Sequence, residues 1–347
     1  MLPVLWFWIV AVMIAMYVVL DGFDLGAGAI HLAVARTDGE RRMVLRSIGP
    51  VWDGNEVWLL AGGGALYFAF PALYASSFSG FYLPLMVVLW LLILRGVSIE
   101  FRSHIRNAVW RPMWDVIFNA ASLLLAVFFG AALGNVVRGV PLNKDGEFFL
   151  PLWTNFRPGP EPGILDWYTV LVGVFALCTL VQHGALWVAY KTPDPVSLRA
   201  RKIARLSWYA VAALTVIVTI TSFRIQPQLA ESFSKWPAGS LFPALAVASL
   251  AGILVFERRQ DELKAFLASA LFIVGMLTSV VFGVFPMVLP ANTDPSLSLT
   301  IYNASAPEYG LRVGLWWFTP GILIAAFYFW FLYRRFSGKV QLESEGY

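Results

Sequence analysis

Six ionisable side chains in the first hundred residues lie inside or against long apolar runs: Asp21, Asp24, Asp53, Glu56, Arg95 and Glu100. A charged side chain at the centre of a membrane helix costs roughly 2.5 to 3.5 kcal/mol even on the lenient insertion scale. Such residues call for a purpose. Asp21 and Asp24 are three apart and share a helix face, and so do Asp53 and Glu56. Carboxylates strung through a partly hydrated interior can exchange protons, because like-charged neighbours with little water around them raise each other's proton affinity. The competing reading is structural: Arg95 neutralises one carboxylate, acids near a helix end reach water, and the set fixes helix register. Residue types and spacing leave both open.

Trp52 and Trp58 flank the second acidic pair, and Ala61-Gly-Gly-Gly64 follows. Interfacial tryptophan with close helix packing accounts for this stretch. A sharper reading is that missing side chains leave an apolar passage beside Trp58, suited to a small nonpolar gas. Of the three histidines, His31 and His183 fall in apolar segments and His104 in a loop. An intramembrane histidine can ligate haem, but His183 is expected to be hydrogen-bonded between helices. No HExxH, phosphate-binding glycine loop or nucleophile elbow occurs.

The elements that position these groups follow from composition. With 347 residues, 59% hydrophobic and only 13% charged, the chain lies outside the range of soluble domains. It reads as an all-α integral membrane protein. Nine apolar runs approach the roughly 20 residues needed to span a bilayer: about 5–33, 51–74, 78–100, 115–137, 165–189, 204–223, 240–256, 264–286 and 311–333. They are continuous rather than alternating, which excludes a barrel. The first run is expected to stay as a helix, because it lacks the basic start of a cleaved signal. The whole chain, 1–347, is expected to form one membrane domain.

Lysine and arginine alternate in density from loop to loop. Eighteen fall on one side, in blocks such as Arg36 to Arg46 and Lys191 to Arg205, and six on the other. By the positive-inside rule the N-terminus is outside and the C-terminus cytoplasmic. The net charge of +4 is accounted for by these blocks, so no nucleic-acid partner is implied. If hydrocarbon begins near Leu5, Asp24 lies about 29 Å deeper, toward the inner boundary. The second span begins and the third ends at that same boundary, so all six ionisable groups are expected at one level. Gly22 and Gly26 form a strip that admits a neighbouring helix. Residues 141–163 and 286–310 are Pro- and Gly-rich outer loops, in which Asn303-Ala-Ser305 is expected to be structured rather than glycosylated. Cys178, the single cysteine, excludes disulfides and thiolate metal sites.

Several motifs carry a resemblance. Asp21-Gly-Phe-Asp-Leu-Gly-Ala-Gly28, Glu40-Arg-Arg42, Ile48-Gly-Pro-Val-Trp-Asp-Gly-Asn-Glu-Val-Trp58, Phe78-Ser-Gly-Phe-Tyr-Leu-Pro84, Leu94-Arg-Gly-Val-Ser-Ile-Glu-Phe-Arg102 and Ser298-Leu-Thr-Ile-Tyr-Asn-Ala-Ser305 closely resemble subunit II of cytochrome bd-type quinol oxidases. The similarity runs along essentially the whole chain. It implies two four-helix bundles plus a peripheral helix in a bacterial inner membrane. The partner would be a haem-bearing subunit I that ligates haems b and d and oxidises quinol while reducing dioxygen to water. Small single-helix subunits would accompany it, and a structural quinone or lipid in this chain stays open.

By that resemblance Asp53 stands at a proton-delivery position, Trp58 at the mouth of an oxygen route, Asp24 pairs with Arg95 and Glu100 is an acidic position on the same helix as Arg95. Together with the reading of the buried acids, Asp53, Asp24, Asp21 and Glu100 are expected to form the proton route. Glutamine also occurs in the family at the position of Glu56. The alternatives are an ion-coupled secondary transporter, with carboxylates binding coupling ions between broken helices, and a purely structural membrane subunit.

Overall fold

Residues 1–341 are described in the structure, a computed structural model; the last six residues of the expected 1–347 domain lie outside it. Twelve α-helices follow in order: α1 (Leu2–Val34), α2 (Asp38–Ile48), α3 (Trp52–Ala69), α4 (Pro71–Gly80), α5 (Tyr82–Phe101), α6 (Trp110–Arg138), α7 (Trp167–Lys191), α8 (Val196–Ile225), α9 (Gln228–Lys235), α10 (Leu241–Arg258), α11 (Glu262–Val284) and α12 (Glu308–Arg335). Among the described residues eight helices are long and apolar enough to cross a membrane: α1, α5, α6, α7, α8, α10, α11 and α12.

The expected second span, 51–74, is not one helix. Pro71 starts a new helix and restricts the residue before it, so Phe70 leaves the helical region at φ −135°, ψ 66° and α3 stops at Ala69. With 18 residues, two acids and four glycines, α3 is not among the eight apolar helices. Its two ends are held by different parts of the fold. Asn55 near its start reaches Asp24 on α1 at 2.8 Å, and the Ala69 carbonyl at its end accepts from the Ala306 amide at 2.9 Å.

The centre of the packing is α1, which contacts α3, α6, α7 and α11; α7 in turn packs on α8 and α11, and α10 on α11. The Gly22/Gly26 strip faces α7. A Cβ on Gly26 would run into the Leu180 carbonyl and the backbone of Gly184, so both positions need glycine for the helices to meet. The two Pro- and Gly-rich loops are tied together. Val140 and Asn292 exchange backbone bonds with Pro290 and Val140, each 3.0 Å, and a two-stranded antiparallel ribbon, β1 (Met287–Leu289) with β2 (Leu299–Thr300), lies in the second of these loops. Asn303 is built into that turn, accepting from the Thr300 amide at 2.7 Å.

The opposite end, where the Arg and Lys blocks gather, is closed by α2. Thr37 and Glu40 form a reciprocal capping box at its start, and Glu40 also receives Arg199 of α8 in a bidentate pair, at 2.5 and 3.1 Å. Arg199 further donates to the Val34 carbonyl at 2.5 Å, so one side chain joins α1, α2 and α8. In contrast α12 buries only Leu311. Its far end is held by a strap, in which Lys191 donates to the Phe336 carbonyl at 2.5 Å and the Val340 amide to the Lys191 carbonyl at 2.7 Å.

Charge-assisted bonding from Arg199, helped by the Arg36 and Thr37 amides and opposed by partial burial, lowers Glu40 from its usual 4.5 to about 2. A carboxylate lowered on folding contributes stability above its unfolded value and loses it as pH falls. Thermal unfolding of the purified protein should therefore show this contribution intact above pH 4.5 and fading as pH falls toward about 2. Glu40→Gln should be less stable at neutral pH by about 1.5–3 kcal/mol, with a flatter acid dependence; parallel curves for the two proteins would contradict the assignment.

Candidate functional site

Two carboxylates of α1, Asp21 and Asp24, are fully buried, and so are Asn55 on α3 and Arg95 on α5. Their spacing on α1 turns them toward different neighbours. Asp21 faces α5, where Arg95 Nη1 donates to Oδ2 at 2.9 Å and Nη2 to Oδ1, a planar two-bond contact. Asp24, nearly a turn further along, faces α3 and accepts from Asn55 Nδ2 at 2.8 Å through Oδ2. The ion pair expected between Arg95 and Asp24 is thus formed by Asp21 instead. The reason is register: Asp21 is level with Arg95, whereas Asp24 meets the first turn of α3.

Glu56 is the third acid of the set, 26% exposed at its side chain and 3.9 Å from Arg95 Nη1. Asp53 and Glu100 are exposed and stand outside the buried set, so four of the six groups expected at one level are in the interior and two reach the surface. Asp53 lies in the first turn of α3, one turn before Glu56, and accepts from the Gly54 amide at 2.7 Å. Glu100 is at the end of α5, and His104 Nδ1 contacts its carbonyl at 2.8 Å.

Two members were not anticipated. Asn55 lies within the quoted Trp52-to-Trp58 motif but carries no charge to mark it. Tyr333, near the end of α12, donates its hydroxyl to Asn55 Oδ1 at 2.8 Å. In the sequence it reads as an ordinary interfacial aromatic before Arg334 and Arg335. Hydrogen-bond supply around the set is uneven. Both Asp21 oxygens are taken by Arg95, while Asp24 Oδ1 and the Tyr17 hydroxyl have no protein partner.

A second ionic set lies closer to the basic end. Asp115 of α6 is bonded by His31 Nε2 at 2.7 Å, Arg102 Nε at 2.6 Å and Arg41 Nη1 at 2.9 Å, and Asp38 links Arg102 to Arg111. This clamp joins α1, α2, α5 and α6. His183 behaves as expected of a helix–helix contact: Nδ1 meets Ser269 Oγ at 2.6 Å, Nε2 meets the Val19 carbonyl at 3.0 Å, and the ring stacks on Phe266. The two buried histidines differ in how far they are bonded, since His31 keeps Nδ1 without a protein partner. Both nitrogens of His183 are used, and His31 is bonded to Asp115 and walled by Phe118.

Trp58 is buried against Met13 and Tyr17, with Phe329 of α12 at 5.6 Å. Two apolar half-open cavities adjoin it, of about 450 and 880 Å³, and share Met13, Trp58, Phe318, Ile322 and Phe329 as walls. A passage beside Trp58 was expected from Gly62 to Gly64, but these glycines line neither cavity; Ala61 and Ala65 line the smaller one. Gly62 lies against Met13 and Ile14 of α1, where a Cβ would make ordinary contact.

A family-wide sequence model described as cytochrome bd terminal oxidase subunit II matches residues 2–336. The chain is 32% identical to a probable cytochrome oxidase subunit 2 of Haemophilus influenzae, over 97% of this chain and 94% of that one. It is 30% identical to the cytochrome bd-I ubiquinol oxidase subunit 2 of Escherichia coli K12, over 98% and 95%. It is 29% identical to the cytochrome bd ubiquinol oxidase subunit 2 of Bacillus subtilis, over 89% and 88%. A solved structure of bd oxidase from Geobacillus thermodenitrificans shares the fold, with a TM-score of 0.75 at 17% identity, covering 96% of this chain and 98% of that one.

Removing one partner of a buried ion pair leaves an unpaired charge, at a cost of about 3–5 kcal/mol, whereas removing both is far milder. Thermal unfolding of the purified assembly should therefore rank Arg95→Met as the most damaging change, since it strands Asp21 beside Glu56. Asp21→Asn should cost less, because Glu56 still faces the guanidinium. The double variant Asp21→Asn/Arg95→Met should be more stable than Arg95→Met alone; strictly additive losses would refute the pairing.

Proposed function

This chain belongs to the cytochrome bd terminal oxidase subunit II family, and from that premise we propose how its residues serve the complex. It is the second subunit of a bd-type quinol:oxygen oxidoreductase, a multi-pass protein of the bacterial inner membrane. A transporter reading is not favoured by these relatives. Haems b and d are held by subunit I, where they carry electrons from quinol and bind dioxygen; this chain packs beside that subunit, with small single-helix subunits and lipid or a structural quinone at its margins. The N-terminus is outside and α3 counts as the ninth crossing. One bundle is then α1, α3, α5 and α6, the other α7, α8, α10 and α11, and α12 is peripheral.

The reading of the charged set as a proton route rests on one observation: a fully buried ion pair with a second buried carboxylate beside it that keeps an oxygen without a donor. Asp53, exposed at the start of α3, collects protons from the basic face, and Glu100 adds negative potential there. Glu56 is the half-buried step inward. Asp21 is the fixed counter-ion of Arg95, because neither of its oxygens is left open. Asp24 is the exchanging group, since its Oδ1 can receive a proton without breaking an existing bond. Apolar space beside Trp58 serves oxygen, which needs a path without polar groups to desolvate.

Asp53→Asn in the assembled complex is expected to slow turnover and proton uptake from the basic face several-fold, with the haem spectra unchanged. Normal uptake in that variant would exclude Asp53 as collector. Trp58→Ala is expected to change the rate of oxygen binding without altering those spectra; unchanged binding kinetics would remove the oxygen route.

A further inference from the structure

Asn55 is the only polar side chain that bonds Asp24 among the described residues, and its amide is asymmetric. Its Nδ2 donates to Asp24 Oδ2 at 2.8 Å and to the Leu20 carbonyl at 3.2 Å, while Oδ1 accepts from Tyr333 at 2.8 Å. An amide can be turned end for end with little change in shape, and its neighbours decide which way it points. If it turned, a carbonyl oxygen would face an Asp24 oxygen, which is favourable only when Asp24 carries a proton to donate. The orientation of Asn55 and the protonation of Asp24 are therefore linked. The Leu20 carbonyl, an acceptor only, holds the NH₂ end in place, and Tyr333 strengthens the link by donating to Oδ1, which polarises the amide and makes Nδ2 a better donor to the carboxylate.

We propose that Tyr333 is a positioning residue for proton exchange at Asp24, acting through the Asn55 amide. The inference rests on the proton reading of the charged set. It gives α12, which otherwise buries only Leu311, a part in that set. Tyr333 is held for the task from both sides: its ring packs near Phe23, Trp187 and Phe329, and the strap from Lys191 to Phe336 and Val340 fixes the helix end just beyond it. Asp24 is faced by Asp21 from α1, Asn55 and Glu56 from α3, Arg95 from α5 and Tyr333 from α12, with His183 of α7 turned to the Val19 carbonyl. Of these Tyr333 alone touches the Asn55 carbonyl oxygen.

The test is the turnover–pH profile of the complete membrane complex. Tyr333→Phe keeps the ring and removes the bond. Its acidic limb should move to higher pH by about one unit, the scale of one neutral hydrogen bond, with haem spectra unchanged. Asn55→Leu should move the same limb, and adding Tyr333→Phe to it should move it no further. A uniform loss of turnover at all pH values in Tyr333→Phe, or an additive shift in the double variant, would overturn the proposal. Asp24→Asn separates the two levels. If it abolishes the limb while Tyr333→Phe leaves it in place, the positioning role fails and the proton reading stands; if it leaves the profile normal, the proton reading itself falls.

Discussion

A charge inside an apolar layer must have its counter-charge at bonding distance, and the Asp21–Arg95 pair meets that requirement with both carboxylate oxygens on one guanidinium. Arg95 belongs to α5 and Asp21 to α1, and few other direct contacts tie those helices together. The pair thus ties α5 to α1, while α5 itself lies along α6. Glu56 then approaches Arg95 from α3, and Asp24 finds Asn55 in the first turn of that helix. On the far side of α1 the glycines at 26 and 184 bring α7 within backbone contact. Asp21, Asp24 and Glu56 meet on the α3–α5 side.

Buried ionic groups occur at three depths, and their chemistry differs. At the end away from the basic blocks Arg138 is bonded to Asp166 and Asn135 and to the Gly163 carbonyl, which seals the start of α7. At the basic end Asp115 gathers a histidine and two arginines. Both carboxylates there are surrounded by donors and serve as rivets. The middle set is different: it has acids in excess of its one arginine, one of them with an oxygen that no side chain serves. Buried networks are usually either saturated or costly. The basic-end set also keeps unpartnered nitrogens, His31 Nδ1 and Arg102 Nη1, but its carboxylate is saturated; the open carboxylate oxygen of Asp24 is what the proposed proton role rests on.

Most of the fold was legible because bilayer spans are long and hydropathy is a strong signal. Boundaries slipped where backbone chemistry overrides hydropathy. Pro71 splits an apolar run that reads as continuous, and α2, with a mostly polar sequence, is stable through its capping box and Arg199 rather than through apolar burial alone. Asp21, Asp24 and Arg95 stood out as charges in the wrong solvent. Which acid pairs with Arg95 did not, because it depends on the rotation of α1 against α5 and on a rise of one turn. Asn55 and Tyr333 were equally hidden. Neutral side chains cost little by themselves, and Tyr333 comes from a helix 278 residues away in sequence.

The division of labour between the two buried aspartates, one fixed and one exchanging, is open to direct observation by redox-triggered infrared difference spectroscopy of the assembled oxidase. The account predicts a protonated-carboxyl signal, shifted by deuterium exchange, that is absent in Asp24→Asn and retained in Asp21→Asn. A signal untouched by Asp24→Asn, or one that disappears only with Asp21, would contradict it.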